Sequence, residues 1–300
     1  MNQNMQSRQN DQVVRIFIGS GDASTLERKT LIHSIKRHTS RELEIWHYNG
    51  TNNTIENETG EQRPCPKKPA LAMHHRYATE FSLFRFYIPQ LCNFQGKALY
   101  LDSDMIVFSD IGELFDISLD GFDFAACPNA YPAIAPNRWA LSTMLIDCGV
   151  CRFDLDKIFH QMQQRQYSYV EFAQMGQRAR NVLTYRIKEL SKVWNHFDRM
   201  DDETNLIHYT DLDRQPWKYR YHQYGEAWFE FFAEAVRSGS ITDQEIKTAI
   251  ERKFVRADIM KGNRGDDTAM ERAAGMLHAL RLKLRDIKRK TERMITGGNV

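Results

Sequence analysis

Asp102-Ser103-Asp104 places two carboxylates one residue apart, directly after the short apolar run Ala98-Leu-Tyr-Leu101. The apolar pattern resumes at once with Met105 to Phe108, so the pair sits at the end of a strand expected to be buried. An ionised carboxylate removed from water needs a partner, and a divalent cation satisfies two of them together. In open α/β sheets, ligands collect at the carboxyl ends of strands. The spacing therefore points to an Asp-x-Asp metal site facing a negatively charged ligand such as a diphosphate. The same triplet also fits two solvated aspartates in a tight turn, because short motifs match by accident.

Three further features carry chemistry suited to such a site. Arg85, inside an apolar helical pattern upstream, can offset the carboxylates or clamp a phosphate through two parallel bonds. It can equally be half of a surface salt bridge. His208 ends the short strand Thr204–His208. A neutral imidazole beside two carboxylates suits a borderline cation such as Mn²⁺, although a lone histidine at a strand end is more often a satisfied polar residue. Gly19-Ser20-Gly21-Asp22 follows the first strand but lacks the Gly-Lys-Ser/Thr of a phosphate loop and the third glycine of a dinucleotide fingerprint. Such a turn can hold a base or ribose, with Asp22 accepting hydrogen bonds, or be a plain β–α turn. Cys148-Gly-Val-Cys151 stands alone, without the two further ligands of a zinc site, so core-lining thiols are expected.

The elements that must position these groups follow from periodicity. Val13–Ile18 and Leu43–Tyr48 read as strands, with a helix between them burying Leu26, Leu31, Ile32 and Ile35. That is a βαβ unit, which implies a parallel pair with a right-handed crossover. Residues 51–68 read as a long loop, 76–91 as a helix, Phe122–Cys127 and Leu141–Ile146 as strands, and 129–139 as a loop. Residues 154–180 read as one amphipathic helix. Helices follow from Ala227 to Arg256, where Thr242 and Glu245 fit a capping box. The expected division is a disordered leader at 1–12, a main α/β domain at 13–225, a helical extension at 226–260, and a linker with a final helix at 261–300.

Composition narrows the function classes. The 300 residues are 42% hydrophobic and 27% charged, enough for a sizeable core without disulfides. A net charge of +2 does not mark a dedicated nucleic-acid binder. No apolar run approaches the length of a membrane span, and the polar start lacks the apolar stretch of a signal peptide. Five scattered cysteines fit a reducing cytoplasm. The final helix, about 268–294, sets Met276, Leu277, Leu280, Leu284 and Ile287 against a strongly basic face. It suits peripheral contact with the anionic inner face of a membrane, or packing on a partner subunit or on its own domain.

Together these stretches resemble glycosyltransferase family 8, the glycogenin-like and bacterial galactosyltransferase-like enzymes of the GT-A fold. The resemblance rests on Ile16–Asp22, 80–89, Ala98–Val107, Ser142–Asp147 and the run from Asn205-Leu-Ile-His208 to Pro216-Trp217, in the family's order over about residues 13–220. It implies a Rossmann-like α/β fold with a mixed, mainly parallel sheet flanked by helices. It also implies that Asp102, Asp104 and His208 hold Mn²⁺ (or Mg²⁺) on the diphosphate of a UDP-sugar. Phe17, Gly19, Ser20 and Asp22 would face the uridine, with Ser103 and Trp217 also on the donor side. Arg85 would lie near the donor sugar and, with Asp104, take part in catalysis. The implied reaction is hexosyl transfer with retention to a glycan or lipid-linked acceptor.

The sequence departs from the family in three places. Ala140-Leu-Ser142 stands where Asn-x-Gly is usual. No Asp-Gln pair follows on the acceptor side, where Glu171 and Gln174 are loose candidates. The pattern His-x-x-Gly-x-x-Lys-Pro-Trp becomes a longer run with Asp211 at the glycine position; the lysine is missing, and Arg214 or Lys218 can substitute. Trp194-Asn195 matches the family, where Asn195 would fix a loop near the site, or else belong to a buried turn. Two other functions remain open: a protein of this fold that binds a sugar nucleotide without transferring it, and a haloacid dehalogenase-like phosphatase, whose first motif the Asp-x-Asp strand approaches.

Overall fold

The computed structural model describes residues 13–67, 81–129 and 137–263. Its centre is the expected βαβ unit. In β1 (Val14–Ser20), Val14, Ile16 and Ile18 face one side and Phe17 the other, the period-2 pattern of a strand buried on both faces. The helix α1 (Thr25–His38) lays Leu31, Ile32 and Ile35 on the first of those sides. Strand β2 (Leu43–Asn49) returns parallel to β1, with Ile45 opposite Ile16.

Three expectations change. The segment expected to be a loop from 51 to 68 contains a hairpin, β3 (Thr54–Asn57) and β4 (Gln62–Arg63), running antiparallel onto β2. Its anchor is Ile55, fully buried opposite Tyr48, and the Asn57 carboxamide oxygen closes the turn by accepting from the Thr59 and Glu61 amides. One apolar residue among polar neighbours is too weak a periodic signal to declare a strand. The expected helix at 76–91 is described only from 81 onward. There it is a 3₁₀ turn, Phe84–Tyr87, followed by the single α-turn α2 (Ile88–Leu91). Pro89 has no N–H and crowds the carbonyl four residues back, so a continuous helix cannot run through it.

The chain continues through β5 (Lys97–Asp102), β6 (Met105–Val107) and α3 (Ile111–Phe115), which Asp110 caps by accepting from the Gly112 amide. Strands β7 (Phe124–Pro128) and β8 (Trp139–Asp147) follow. The expected single helix at 154–180 is the third correction. It is three pieces, α4 (Leu155–Gln163), α5 (Tyr169–Ala173) and α6 (Gln177–Val182). Arg165 and Met175 take left-handed backbone angles at the two breaks, and Ser168 restarts the second piece by accepting from the Glu171 amide.

Short strands β9 (Ile187–Glu189), β10 (His196–Phe197) and β11 (Leu206–His208) precede the last helices, α7 (Gly225–Arg237) and α8 (Asp243–Glu251). The main sheet runs β4-β3-β2-β1-β5-β8-β7-β9; only β3 and β8 oppose the other strands. A second sheet, β10-β11-β6, forms a wall between two cores. It sends Met105, Val107 and Leu206 towards α1 and the main sheet, and Ile106 and Ile207 towards Trp217 and the α7 residues Trp228 and Phe232. Cys148 and Cys151 line the core, as expected. The capping box of Thr242 and Glu245 is present at α8. Among the described residues no helix is long and apolar enough to cross a membrane. The expected leader and the basic final helix lie outside the described residues.

Candidate metal and donor site

The Asp-x-Asp motif sits where the two sheets meet. Strand β5 ends at Asp102, opposite Gly19 of β1, and the chain turns through the buried Ser103 into β6. Because β6 pairs antiparallel with β11, His208 falls opposite Met105, beside Asp104. The Tyr209 amide then donates to the Asp104 carbonyl at 2.9 Å, fixing that register. Strand pairing thus joins residues a hundred positions apart.

One ligand atom from each of Asp102, Asp104 and His208 lies within 4.8 Å of the others. His208 Nε2 is 3.0 Å from Asp104 Oδ1, and its Nδ1 is 3.2 Å from Asn195 Oδ1. The Asn195 amide nitrogen in turn donates to Ser142 Oγ at 2.9 Å. An amide oxygen at Nδ1 requires the proton there, which leaves Nε2 directed at the carboxylates, the orientation a metal-binding imidazole needs. Burial lowers the proton affinity of His208, but the Asp104 carboxylate outweighs it and holds the imidazole above its ordinary pKa. Burial pushes the Asp102 carboxyl up, against the opposing charge of Arg85. Two carboxylates and an imidazole, crowded together and partly out of water, form a donor set that fits one divalent cation of the Mn²⁺ or Mg²⁺ class.

Arg85 reaches this cluster from the 3₁₀ turn before α2. One guanidinium nitrogen donates to Asp102 Oδ1 at 3.1 Å, the other to the Leu141 carbonyl, and the cation lies 4.5 Å from the centre of the Tyr100 ring. Tyr100 also donates its hydroxyl to Asp102 Oδ1. Gly19 is required by this packing, since a Cβ there would run into Tyr100 Oη and the Phe81 ring.

Two groups in this region escaped the sequence reading. Gln215 donates from Nε2 to Asp104 Oδ2 at 3.0 Å and to the Tyr209 carbonyl at 2.9 Å, while its Oε1 accepts from Lys218 Nζ at 2.9 Å. Its only sequence signal was its place directly before Pro216-Trp217, where the resemblance calls for a lysine. Glu27, in the first turn of α1, is fully buried within the influence of Lys218 and Asp104, and burial raises its carboxyl to about 8.

The other expected residues are distributed as follows. Ser20 is buried and accepts from Arg28 at 3.2 Å. Asp22 accepts from Asn49, Asn52 and Arg252, and the Asn49 hydrogen bond holds its carboxyl below the usual range. Phe17 and Trp217 are fully buried, Phe17 against Phe84 and Trp217 between Tyr209 and Trp228. Arg214 pairs with Asp211 at 3.1 Å, whereas Lys218 joins the Gln215–Asp104 chain. Glu171 and Gln174 are brought together by Arg138, which donates to them at 3.0 and 2.8 Å. Neither hydrogen-bonds or ion-pairs with Asp102, Asp104 or His208.

Comparison with known proteins identifies the family and the fold. The sequence model of the family described as glycosyl transferase family 8 matches residues 21–220. Glycosyltransferase GlyB of Streptococcus pneumoniae is 29% identical over 165 residues, 47% of this chain and 38% of that protein. Protein CDI of Arabidopsis thaliana is 29% identical over 150 residues, 45% of this chain and 53% of that protein. The chain thus spans about half, or less, of the length of these relatives. In structure it is similar to the galactosyltransferase LgtC, solved with donor and acceptor sugar analogs, with a TM-score of 0.53 at 13% identity over 74% of this chain and 96% of that one. That likeness establishes the GT-A fold. It removes the phosphatase reading, in which the Asp-x-Asp strand opens the sheet, because here β5 follows both β1 and β2.

Proposed function

Since this chain belongs to glycosyltransferase family 8, we propose that it is a metal-dependent hexosyltransferase that takes a sugar from a UDP-sugar and passes it, with retention, to a glycan or lipid-linked acceptor. The observation that carries this reading is the convergence of Asp102, Asp104 and His208 within 4.8 Å, with His208 oriented by Asn195. These three residues would hold Mn²⁺ or Mg²⁺, which when bound stabilises the charge of the departing diphosphate.

The protein's own groups have separable tasks. Lys218, held 2.9 Å from Gln215, brings a cation to the Asp104 side of the site that would serve the diphosphate oxygens. Arg85 holds Asp102 in place and presents a fixed positive charge on the opposite side. Fixed charges of this kind stabilise developing charge without reorganising as the bond breaks. Asn195 and Gln215 position His208 and Asp104, and act through them.

A second reading, donor binding without transfer, has support on the acceptor side. Both Glu171 oxygens are engaged, by Arg138 and by the Arg178 amide, and Gln174 is occupied by Arg138. A panel of UDP-sugars with Mn²⁺ separates the two readings. Release of UDP with formation of a glycoside, lost on chelation and in Asp104→Asn, supports transfer. A metal-dependent rise in melting temperature without turnover supports binding alone.

A further inference from the structure

A second cavity, of about 460 Å³, lies between α1, the β2 edge, the β3–β4 hairpin and the start of α8. None of its lining residues belongs to the Asp102–Asp104–His208 cluster. Its two lysines are paired: Lys29 meets Glu245 at 2.6 Å and Lys36 meets Glu58 at 2.6 Å, while His47 Nε2 hydrogen-bonds Glu56 Oε1 at 2.9 Å.

Arg28 is the exception. Its guanidinium is buried, with 8% exposure, and lines the cavity. Its one hydrogen bond goes to the neutral Ser20 Oγ, and among the described residues no carboxylate comes within ion-pair distance of it. Burial outweighs the carboxylates of Glu56, Glu245, Glu27 and Asp22, which act on it only at longer range, so its fork lacks a directly bonded anion. His47 also lines the cavity and is 6% exposed, with its Nδ1 enclosed by the protein. Burial lowers His47 to about 4, so the ring is neutral at physiological pH. Its Nε2–H donates to Glu56.

We propose that this cavity is a binding site for a small sugar phosphate, with the phosphate on Arg28 and the sugar hydroxyls towards Glu56, Asn57 and Glu58. An arginine fork is the side chain best shaped for a phosphate. The volume falls in the range of small-molecule pockets. The surrounding Glu56, Glu58 and Asn57 can accept from or donate to hydroxyls, and among the described residues the lining holds no Phe, Tyr or Trp on which a nucleobase could stack.

The test is calorimetric titration of the full chain in chelator, without UDP-sugar, so that the result is independent of transferase activity. The probes are hexose 1- and 6-phosphates, glycerol 3-phosphate, inorganic phosphate and free glucose. A member of the sugar phosphate set is expected to bind more tightly than inorganic phosphate or glucose. Arg28→Met should weaken it by about tenfold or more, while Asp104→Asn leaves it unchanged. Hydrogen exchange of the wild-type chain provides a check that needs no variant: the ligand should protect residues 25–36 and 54–60. Absence of binding by the whole panel, equal affinity for inorganic phosphate, unchanged affinity in Arg28→Met, or protection at 102–104 and 208–218 instead would each overturn the proposal.

Discussion

Gln215 Nε2 lies 3.0 Å from Asp104 Oδ2, and Gln215 Oε1 lies 2.9 Å from Lys218 Nζ, so one amide couples a site carboxylate to a lysine cation. Gln215 is buried and both ends of its amide are used. Gln215→Leu should remove the donor to Asp104 and release Lys218 together. The expected result is a loss of about 10–100-fold in Mn²⁺ affinity with an intact fold, read by calorimetry and circular dichroism. Lys218→Met should leave metal affinity alone and weaken only UDP-sugar binding.

Asn195 tests the orientation of the histidine. Asn195→Ala leaves His208 Nδ1 and Ser142 Oγ without their partner inside the protein. The stability cost should be about 1–3 kcal/mol, the usual penalty for an orphaned buried polar group, measured by urea unfolding. Metal affinity should fall by about 10–100-fold as well, since the imidazole can then rotate. Loss of stability with no change in metal affinity would show that Asn195 only fills space.

Glu27 gives the protein a pH dependence of predictable sign. Its carboxyl is raised by burial from 4.5 to about 8 in the folded chain. Between those values the folded state keeps a proton that the unfolded state has lost, so stability declines as pH rises and levels off above about pH 8. Glu27→Gln should cancel that slope and gain on the order of 4 kcal/mol at pH 8.5 relative to pH 4. Denaturant midpoints for the two proteins across this range measure the effect. Parallel curves would contradict the burial of an ionisable group at this position.

Gly19→Ala tests the packing behind the cluster. The added methyl group meets Tyr100 Oη and the Phe81 ring, and Tyr100 is the hydroxyl donor to Asp102. Overpacking of this kind costs about 1–3 kcal/mol. The variant should melt at a lower temperature and bind metal less well; Tyr100→Phe should affect metal binding with a smaller loss of stability.

How much of this was legible in the sequence depends on the range of the interaction. The βαβ unit and the Asp-x-Asp strand were visible because dense apolar runs such as Val14–Ile18 and Ala98–Leu101 bury both faces of a central strand. The hairpin at 54–63 was not, because Ile55 alone carries its burial. The breaks at Arg165 and Met175 were hidden within an apolar period that continues across them. His208 was offered as a metal ligand by its residue type at a strand end and again by the family resemblance, but its partnership with Asp104 is created by the pairing of β6 with β11. Gln215 could not be read at all, since a glutamine before Pro-Trp has no chemical signature until the turn after β11 carries it back to Asp104.

The proposed function requires that Asp102, Asp104 and His208 form one metal site serving a sugar nucleotide. Its most direct test is calorimetric titration of Mn²⁺ into the wild-type chain and Asp104→Asn, each with and without a UDP-sugar. One Mn²⁺ should bind per wild-type chain, more tightly when the nucleotide is present, and both the binding and the coupling should be lost in the variant. Equal Mn²⁺ binding by the two proteins would contradict it.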